Sequence, residues 1–299
     1  MRIFDYAKVA DWDDRLRDLA EMAEPERWTY LHVPDESPLP VLDSYIRYTF
    51  LRIHEQGKVA ETERHACFNT GLLTPGQEEI FGIFRISDNY VPGRPPSSQN
   101  RKWFLTSWAR SGDRSLTEFP ALPALASYWS DPTELVFNPV LQVQLNLDHI
   151  VRDNLTRFPE ELGGELGADG VPRDIATSPD IEDEAGQNLV QPPAGVQQAI
   201  PIATRNALEG AMKHSIRLAQ RSYRIAVPQF HRNSIQLLLP LYLRDSARPD
   251  LALTLERHGN WYRAATVLYP DWAYRHARLL ARPNSEWLGG FRSDLRAAG

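Results

Sequence analysis

The chain has 299 residues, a net charge of −6, and 42% hydrophobic residues, among them eight Trp. This length and hydrophobic content are typical of a globular protein with a substantial core. No run of about 18 apolar residues is present, so no transmembrane helix and no membrane partner are expected. The start MRIFDYAKVADWDD lacks the apolar core of a signal peptide. Cys67 is the only cysteine, which excludes an internal disulfide and predicts a cytoplasmic location.

In the first half of the chain, the helical spacing of apolar residues predicts helices over residues 11–23 and 41–56. The stretch HACFNTGLLTPGQEEIFGIF, residues 65–84, predicts a β-hairpin that turns at Thr-Pro-Gly-Gln. Alternating apolar residues predict a strand over 103–108. Shorter apolar segments predict a helix over 122–129 and a strand over 135–138.

In the second half, helices are predicted over residues 146–158, 197–226 and 270–281. A buried strand is predicted over 234–243, and a second hairpin joins strands 251–256 and 261–268 around Gly259. The pattern predicts an α+β fold in which antiparallel sheet elements pack with four to five helices. We assign it to a single domain, residues 1–299.

Residues 160–195 are predicted to form an acidic flexible insert within this domain. Nine acids and only one base, Arg173, lie between Glu160 and Glu184, among many Gly and Pro residues. Such a segment buries too little apolar surface to offset the entropy that ordering costs, roughly 1–2 kcal/mol per residue. Outside the insert, the chain is neutral to slightly basic.

The tripeptide Asn69-Thr70-Gly71 lies inside or at the end of the first hairpin strand. A glycine at such a position usually marks a β-bulge or a close backbone approach. Two interpretations remain open. The bulge could be structural, with Asn69 and Thr70 hydrogen-bonded locally, or it could aim them at a phosphate, ribose or carboxylate. Nearby, Cys67 could be a nucleophile or a small buried core residue, and the second is favoured.

The helix predicted over 146–158 places Asn154 in the middle of its apolar face. A buried amide without partners costs roughly 1–3 kcal/mol, so Asn154 is expected to be buried and hydrogen-bonded. It either joins a core network or borders a polar cavity. Asp148 and His149 lie outside the stripe, where they form either an acid–base pair or an ordinary solvated face.

Other polar residues are of types that bind anions, although they form no diagnostic motif. The helix predicted over 197–226 carries an outer basic stripe, which either contacts phosphates or balances the acidic insert. Its members are Lys213, Arg217, Arg221 and Arg224. Tyr274 and Arg278 lie one helical turn apart, as a stacking and phosphate-binding pair or a common surface pair. No nucleotide-binding glycine loop, catalytic serine motif or zinc motif is present, so no metal or cofactor is expected.

Several ordered segments resemble the bacterial domain-of-unknown-function family 3825. They are SYIRYTFLRIHEQGK (44–58), FNTGL (68–72), Trp103-Phe104, LDHIVRDNLTRFP (147–159), AVPQF (226–230), IQLLLPLYL (235–243), AYRHARLL (273–280) and RPNSEWL (282–288). Similar domains occur alone or joined to predicted RNA-binding modules of the LOTUS type. The resemblance therefore implies RNA or nucleotide biology, by association.

The resemblance also raises the weight of polar residues inside these segments, whose side chains suit a nucleotide. The implied substrate-binding residues are Arg52, Asn69, Thr70, Gly71, Asn154, Arg157, Gln229, Tyr274 and Arg278. Glu55 or the pair Asp148-His149 is the implied catalytic base. The expected function is a metal-independent enzyme that acts on a phosphate or glycosidic linkage of a nucleotide or RNA end, a hydrolase or transferase. The alternatives are a non-catalytic RNA- or nucleotide-binding module and a small-molecule biosynthetic enzyme.

Overall fold

A computed structural model describes residues 1–35, 37–95, 97, 100–167, 202–284 and 286–289. These residues form an α+β fold, as predicted. Its contacts divide the chain into two compact units, each with a five-stranded sheet. Unit 1 comprises residues 1–30 and 35–127, and unit 2 comprises residues 31–34 and 128–299. The assignment of residues 1–299 to a single domain stays a prediction.

Unit 1 contains three helices and five strands among its described residues. They are α1 (Ile3–Tyr6), β1 (Ala7–Lys8), α2 (Trp12–Met22), α3 (Pro40–Glu55), β2 (Ala60–Glu61), β3 (His65–Leu73), β4 (Glu79–Ile86) and β5 (Trp103–Arg110). The strand order is β1-β5-β4-β3-β2, with β1 parallel to β5 and the other pairs antiparallel. The predicted hairpin is therefore confirmed as β3 and β4.

Aromatic side chains form much of the core of unit 1. Phe50 of α3 meets Phe68 of β3 edge-on, with 5.0 Å between ring centroids. Phe84 of β4 stacks on Phe68 at 5.6 Å, and Tyr6 of α1 meets Phe84 edge-on at 5.3 Å. Edge-to-face packing of this kind adds to the free energy of burying large rings. These contacts fix α3 against the sheet.

Unit 2 combines the second sheet with the remaining helices. Its helices and strands are β6 (Gln142–Leu145), α4 (Leu147–Asn154), α5 (Ile202–Arg221), β7 (Val227–His231), β8 (Ser234–Leu241), β9 (Leu251–His258), β10 (Trp261–Leu268), α6 (Pro270–Arg278) and α7 (Glu286–Gly289). The strand order is β6-β10-β9-β8-β7, with β6 parallel to β10 and the other pairs antiparallel. A 3₁₀ turn, Leu155–Arg157, continues α4.

Helix α5 approaches its sheet closely through small residues. Ser215 is fully buried, and its hydroxyl donates to the carbonyls of Ala211 and of Pro240 in β8. Thr204 and Ala211 lie on the same buried face of the helix. The Ser215 hydroxyl thus supplies a donor to the Pro240 carbonyl. The small-residue stripe is thus a packing surface.

The chain segment Leu31–Pro34 belongs to unit 2 because a single carboxylate holds it. Asp271, in the first turn of α6, accepts hydrogen bonds from the backbone N–H groups of Leu31, His32 and Val33, at 2.9, 2.7 and 3.1 Å. Asp271 is buried, so these three donors satisfy a group that would otherwise be costly to bury.

Several predicted elements differ from the observed ones. The helix predicted over residues 122–129 is wrong, since this stretch has no regular structure. Its backbone carbonyls accept from side chains instead: Lys58 binds Leu125, and Gln56 binds Ser127. The strand predicted over 135–138 is also wrong, and the strand of this region is β6. Sequence patterns missed these contacts because their partners lie far apart in the chain.

Residues 160–167, the start of the predicted insert, are packed into unit 2. Leu166 is buried and pairs with Pro159 in an isolated bridge. A Cβ on Gly164 would stand 1.9 Å from the carbonyl oxygen of Phe158, so only glycine fits there. The prediction of a flexible insert is therefore wrong for residues 160–167. Its remaining residues, 168–195, lie outside the described part of the chain.

Candidate functional site

Asn154, the last residue of α4, is buried and hydrogen-bonded, as predicted. Its Nδ2 donates to the carbonyl of Ile150 at 2.9 Å. Its Oδ1 accepts from Arg157 Nη1 at 2.7 Å and from the Thr266 hydroxyl at 3.0 Å. Because a guanidinium can only donate, this contact fixes the orientation of the Asn154 amide. Asn154 thus connects the end of α4 to β10.

The described groups that hold Arg157 in place are neutral. Its Nη1 also donates to the carbonyl of Val267 at 2.6 Å, and its guanidinium carbon lies 5.4 Å from the ring centroid of Trp272 in α6. Burial lowers the pKa of Arg157, although a guanidinium stays protonated at any physiological pH. Among the described residues, no carboxylate pairs with it. Arg157 is therefore a positioned cation whose charge no described carboxylate balances.

Arg275 is a second arginine without a carboxylate among the described residues. It lies on α6, one helical turn after Trp272, and is only 7% exposed. Its Nη2 lies 3.2 Å from Nε2 of His276, which must accept because arginine only donates. Its Nε is buried and has no partner in the described part of the chain. We call Asn154, Arg157, Trp272 and Arg275 the arginine site.

Two more predicted residues lie on α6. Tyr274 is 3% exposed and Arg278 is 7% exposed, one turn apart as predicted. Their burial excludes the surface-pair interpretation. Helix α6 therefore carries three buried residues of the types that bind phosphates or stack on rings, since Arg275 lies between Tyr274 and Arg278.

The remaining predicted residue of unit 2, Gln229, belongs to a row of side chains across the second sheet. Its Nε2 donates to Gln236 Oε1 at 2.8 Å, and Gln236 Nε2 donates to Glu256 Oε1 at 3.0 Å. Glu256 in turn accepts from Nε and Nη2 of Arg263. These residues are directly opposite one another in β7, β8, β9 and β10. We call them the polar row.

In unit 1, Asn69-Thr70-Gly71 forms a β-bulge. The register of β3 against β4 shifts between Asn69 and Leu73, and Gly71 has a φ of +75°. Asn69 Oδ1 accepts from the Gly71 N–H at 2.9 Å, and its Nδ2 donates to Glu79 at 3.0 Å. The Thr70 hydroxyl donates to the carbonyl of Ile80 at 2.7 Å. These local bonds support the structural interpretation of the motif.

Arg52 and Glu55 stand at the end of α3. Arg52 Nε donates to the carbonyl of Ser127 at 2.9 Å, and its Nη1 lies 3.5 Å from the Glu55 carboxylate. Arg52 thus helps to hold the irregular stretch that follows residue 122, which is a structural contribution. The proposed convergence of Arg52 and Asn69 with Asn154 involves residues of both units and stays a prediction.

The family resemblance extends over most of the chain. A family model described as Domain of unknown function (DUF3825) matches residues 19–287. The chain belongs to this family. The match includes the FNTGL bulge, the arginine site and the polar row. A search of curated proteins and a search of solved structures find no significant match.

Two of the predicted catalytic residues of this DUF3825 chain lie on α4. Asp148 and His149 lie in the first turn of α4, but their side chains are outside the described part of the structure. Among the residues that are described, no group of three or more His, Cys, Asp and Glu side chains could hold a metal ion. Likewise, no described helix is long and apolar enough to cross a membrane.

Cys67 of the DUF3825 chain is a core residue. It is fully buried in a cluster of apolar side chains that includes Phe81 and Phe119. Burial raises the pKa of its thiol to about 12, so the nucleophilic thiolate is scarce at neutral pH. The favoured prediction, a small buried hydrophobe, agrees with these observations.

The sequence analysis of this DUF3825 chain did not identify several residues in or next to the arginine site and the polar row. Trp272 and Arg275 are close to the predicted Tyr274 in the chain, and Arg275 lies inside the family-like segment AYRHARLL. Thr266, Gln236 and Glu256 were missed because single polar residues on strands are common. Only the strand register, which pairs Gln236 with both Gln229 and Glu256, brings them into contact.

Proposed function

We propose that this chain binds a phosphate-bearing ligand, a nucleotide or an RNA end, through the arginine site of unit 2. The observation that carries the proposal is the state of Arg157. Its position is fixed by Asn154, Val267 and Trp272, yet none of these groups balances its charge. A desolvated cation is costly unless an anion accompanies it. An anionic ligand would offset that cost.

The donor geometry favours phosphate. A guanidinium presents a planar fork of N–H groups that matches two oxygens of a phosphate or carboxylate. Arg157 is half-buried, so its neighbours do not enclose the side chain completely. A second guanidinium, Arg275, lies on the helix whose Trp272 stacks on Arg157. Two arginines suit the two or more charges of a phosphate better than the single charge of a carboxylate.

Aromatic and amide groups in the same unit favour a nucleotide over inorganic phosphate. Tyr269 meets Trp272 edge-on, with 4.8 Å between centroids, next to the site. Aromatic rings stack on bases, and amides such as Gln229 pair with base edges. The proposed compartment is the cytoplasm, where nucleotides are abundant and a single buried thiol stays reduced.

The proposed activity is metal-independent hydrolysis or transfer at a phosphate or glycosidic linkage. Positioned guanidinium groups stabilise negative charge that develops on a phosphate. A general base must then lie nearby. Asp148 and His149 are the proposed candidates, because they stand on α4, the helix whose last residue orients Arg157. Glu55 of α3, the other predicted base, belongs to unit 1, and its role stays a prediction.

The binding test compares Arg157→Gln and Arg157→Lys with the control Arg152→Gln, which removes an exposed arginine of α4. Titration calorimetry with nucleoside monophosphates and with 5′-phosphorylated and 5′-hydroxyl oligoribonucleotides measures affinity. We expect Arg157→Gln to weaken binding of the phosphorylated ligands at least roughly tenfold and Arg157→Lys to weaken it less. Unchanged binding by Arg157→Gln would contradict the proposal.

The alternative function is a non-catalytic binding module, because the four residues of the arginine site offer hydrogen bonds and stacking rather than a general base. Product analysis after incubation with nucleotides and RNA ends, in the presence of a chelator, separates the two. An enzyme converts the ligand, and His149→Asn or Asp148→Asn abolishes conversion while leaving affinity intact. Ligand that binds and is recovered unchanged identifies a binding module instead.

A further inference from the structure

The polar row has a hydrogen-bond direction that its charged end determines. Arg263 donates to Glu256, and His258 lies 3.6 Å from the same carboxylate. Burial tends to raise the pKa of Glu256, but the hydrogen bonds and charges of Arg263 and His258 outweigh it, so the pKa is lowered. Glu256 is therefore ionised at neutral pH and can only accept hydrogen bonds.

This fixed acceptor orients both amides of the row. Gln236 must turn its Nε2 towards Glu256, which leaves its Oε1 facing Gln229. Gln229 must then turn its own Nε2 towards Gln236, which leaves Gln229 Oε1 at the far end of the row. Amide orientations are often ambiguous, but here the chain of donors and acceptors allows one arrangement.

Gln229 Oε1 is a buried acceptor that has no partner among the described residues. Gln229 is 2% exposed, so water does not reach it freely. A buried polar atom without a partner costs roughly 1–3 kcal/mol, so its persistence calls for a donor that the described residues do not provide.

The surroundings of Gln229 connect it to the arginine site. Gln229 and His231 are two residues apart in β7, so their side chains point to the same face of the sheet. His231 stacks on His276 of α6, with ring planes 7° apart and 6.2 Å between centroids. Helix α6 therefore covers the face that carries Gln229. The same helix carries Trp272 and Arg275.

Further unsatisfied groups lie in unit 2. Within the part of the chain that the structure describes, two buried donors of α6, Trp272 Nε1 and Arg275 Nε, have no partner, and neither has the Thr254 hydroxyl of β9. Thr254 is directly opposite Thr266, the residue that binds Asn154. Residues opposite one another in adjacent strands share a face. A polar ligand would satisfy the unused donors on α6 and the unused acceptors on the sheet that α6 covers.

We infer that Gln229 Oε1 accepts a hydrogen bond from the exocyclic amino group of a nucleotide base, and that the site therefore prefers adenine or cytosine to their keto counterparts. This inference rests on the proposed function, because the phosphate at the arginine site positions the base. A keto oxygen at the same place would oppose acceptor to acceptor. Glu256 is a positioning residue, since it acts on the ligand only through the two glutamines.

The experiment compares two matched ligand pairs, adenosine with inosine 5′-monophosphate and cytidine with uridine 5′-monophosphate, and their four nucleosides. Within each pair, the amino group is exchanged for a keto oxygen, and the neighbouring ring nitrogen changes from an acceptor to an N–H donor. In at least one pair, we expect the amino member to bind roughly tenfold more tightly than the keto member, because the keto oxygen would face the Gln229 acceptor. Glu256→Gln should reduce this ratio to near one, because a neutral amide lets both glutamines turn over. Glu134→Gln, at an exposed position, is the control.

The outcomes separate this inference from the proposed function. An amino preference that persists in Arg157→Gln, with affinity for all four nucleotides lowered equally, supports both. Equal binding within each pair overturns the role of Gln229 and leaves phosphate binding standing. An amino preference unaffected by Glu256→Gln overturns the positioning role. Failure of every nucleotide and nucleoside to bind overturns both.

Discussion

The hydroxyl oxygen of Tyr45 lies 2.6 Å from the position that a Cβ atom on Gly71 would occupy. Gly71 also has a φ of +75°, which side chains rarely tolerate. We expect Gly71→Ala to lower the free energy of unfolding by about 2–4 kcal/mol, because left-handed strain of roughly 1–2 kcal/mol adds to the displacement of Tyr45. Urea denaturation measures the change.

Two variants distinguish the steric part from the backbone part. Gly57 has a similar φ of +62°, but no described atom lies within 4 Å of the position that its Cβ would occupy. Gly57→Ala should therefore cost only the strain, about 1–2 kcal/mol. Adding Tyr45→Phe to Gly71→Ala should recover stability relative to the sum of the single changes. A Gly71→Ala variant as stable as Gly57→Ala would show that Tyr45 moves away without cost.

We expect substitutions of Asn154 and Thr266 to have coupled effects on stability. Asn154→Leu removes the acceptor of Arg157 and of Thr266, so we expect a loss of about 2–4 kcal/mol in the free energy of unfolding. Thr266→Val should cost about 1 kcal/mol, and the double variant less than the sum, because the two residues share a hydrogen bond. Thr156→Val, at an exposed position, is the control. Strictly additive effects would argue against the Asn154–Thr266 bond.

We expect the thiol of Cys67 to be unreactive in the folded protein. It is fully buried, and the pKa of about 12 leaves little thiolate in mildly alkaline buffer. Iodoacetamide labelling followed by mass spectrometry should therefore be slow in native buffer and fast in concentrated urea, that is, only after unfolding. Rapid labelling of the native protein would mean that β3 opens locally far more often than its burial indicates.

Glu256 predicts a pH dependence of stability. Its pKa in the folded protein is below the ordinary value of 4.5, so the folded state favours the ionised form. The stability that this carboxylate contributes is fully present above pH 4.5 and is lost as the pH falls through the lower, folded-state pKa. The free energy of unfolding of Glu256→Gln should therefore change less than that of the unsubstituted chain between about pH 6 and about pH 3. Parallel pH profiles would contradict this assignment.

Some local structure follows from the sequence alone. The spacing of apolar residues predicts α2, α3 and the two hairpins, because burial of one face imposes a period of 3.6 on a helix and of 2 on a strand. The same argument places Asn154 on a buried face, where an amide must find partners. A glycine within a strand predicts either a β-bulge or a close backbone approach at Gly71. These features depend on neighbours within a few residues, which the sequence displays directly.

The tertiary structure decided what those polar residues contact. Helical phase shows that Asn154 is buried, but only the packing of α4 against β10 pairs it with Thr266. Nothing in the spacing of Gln229, Gln236 and Glu256 shows that they form one row, since that depends on the register of three strands. The irregular stretch over residues 122–129 is a similar case, because side chains in and just after the distant α3 bind its carbonyls. Hydrogen bonds between distant segments leave no periodic trace in a sequence, whereas burial of a face does.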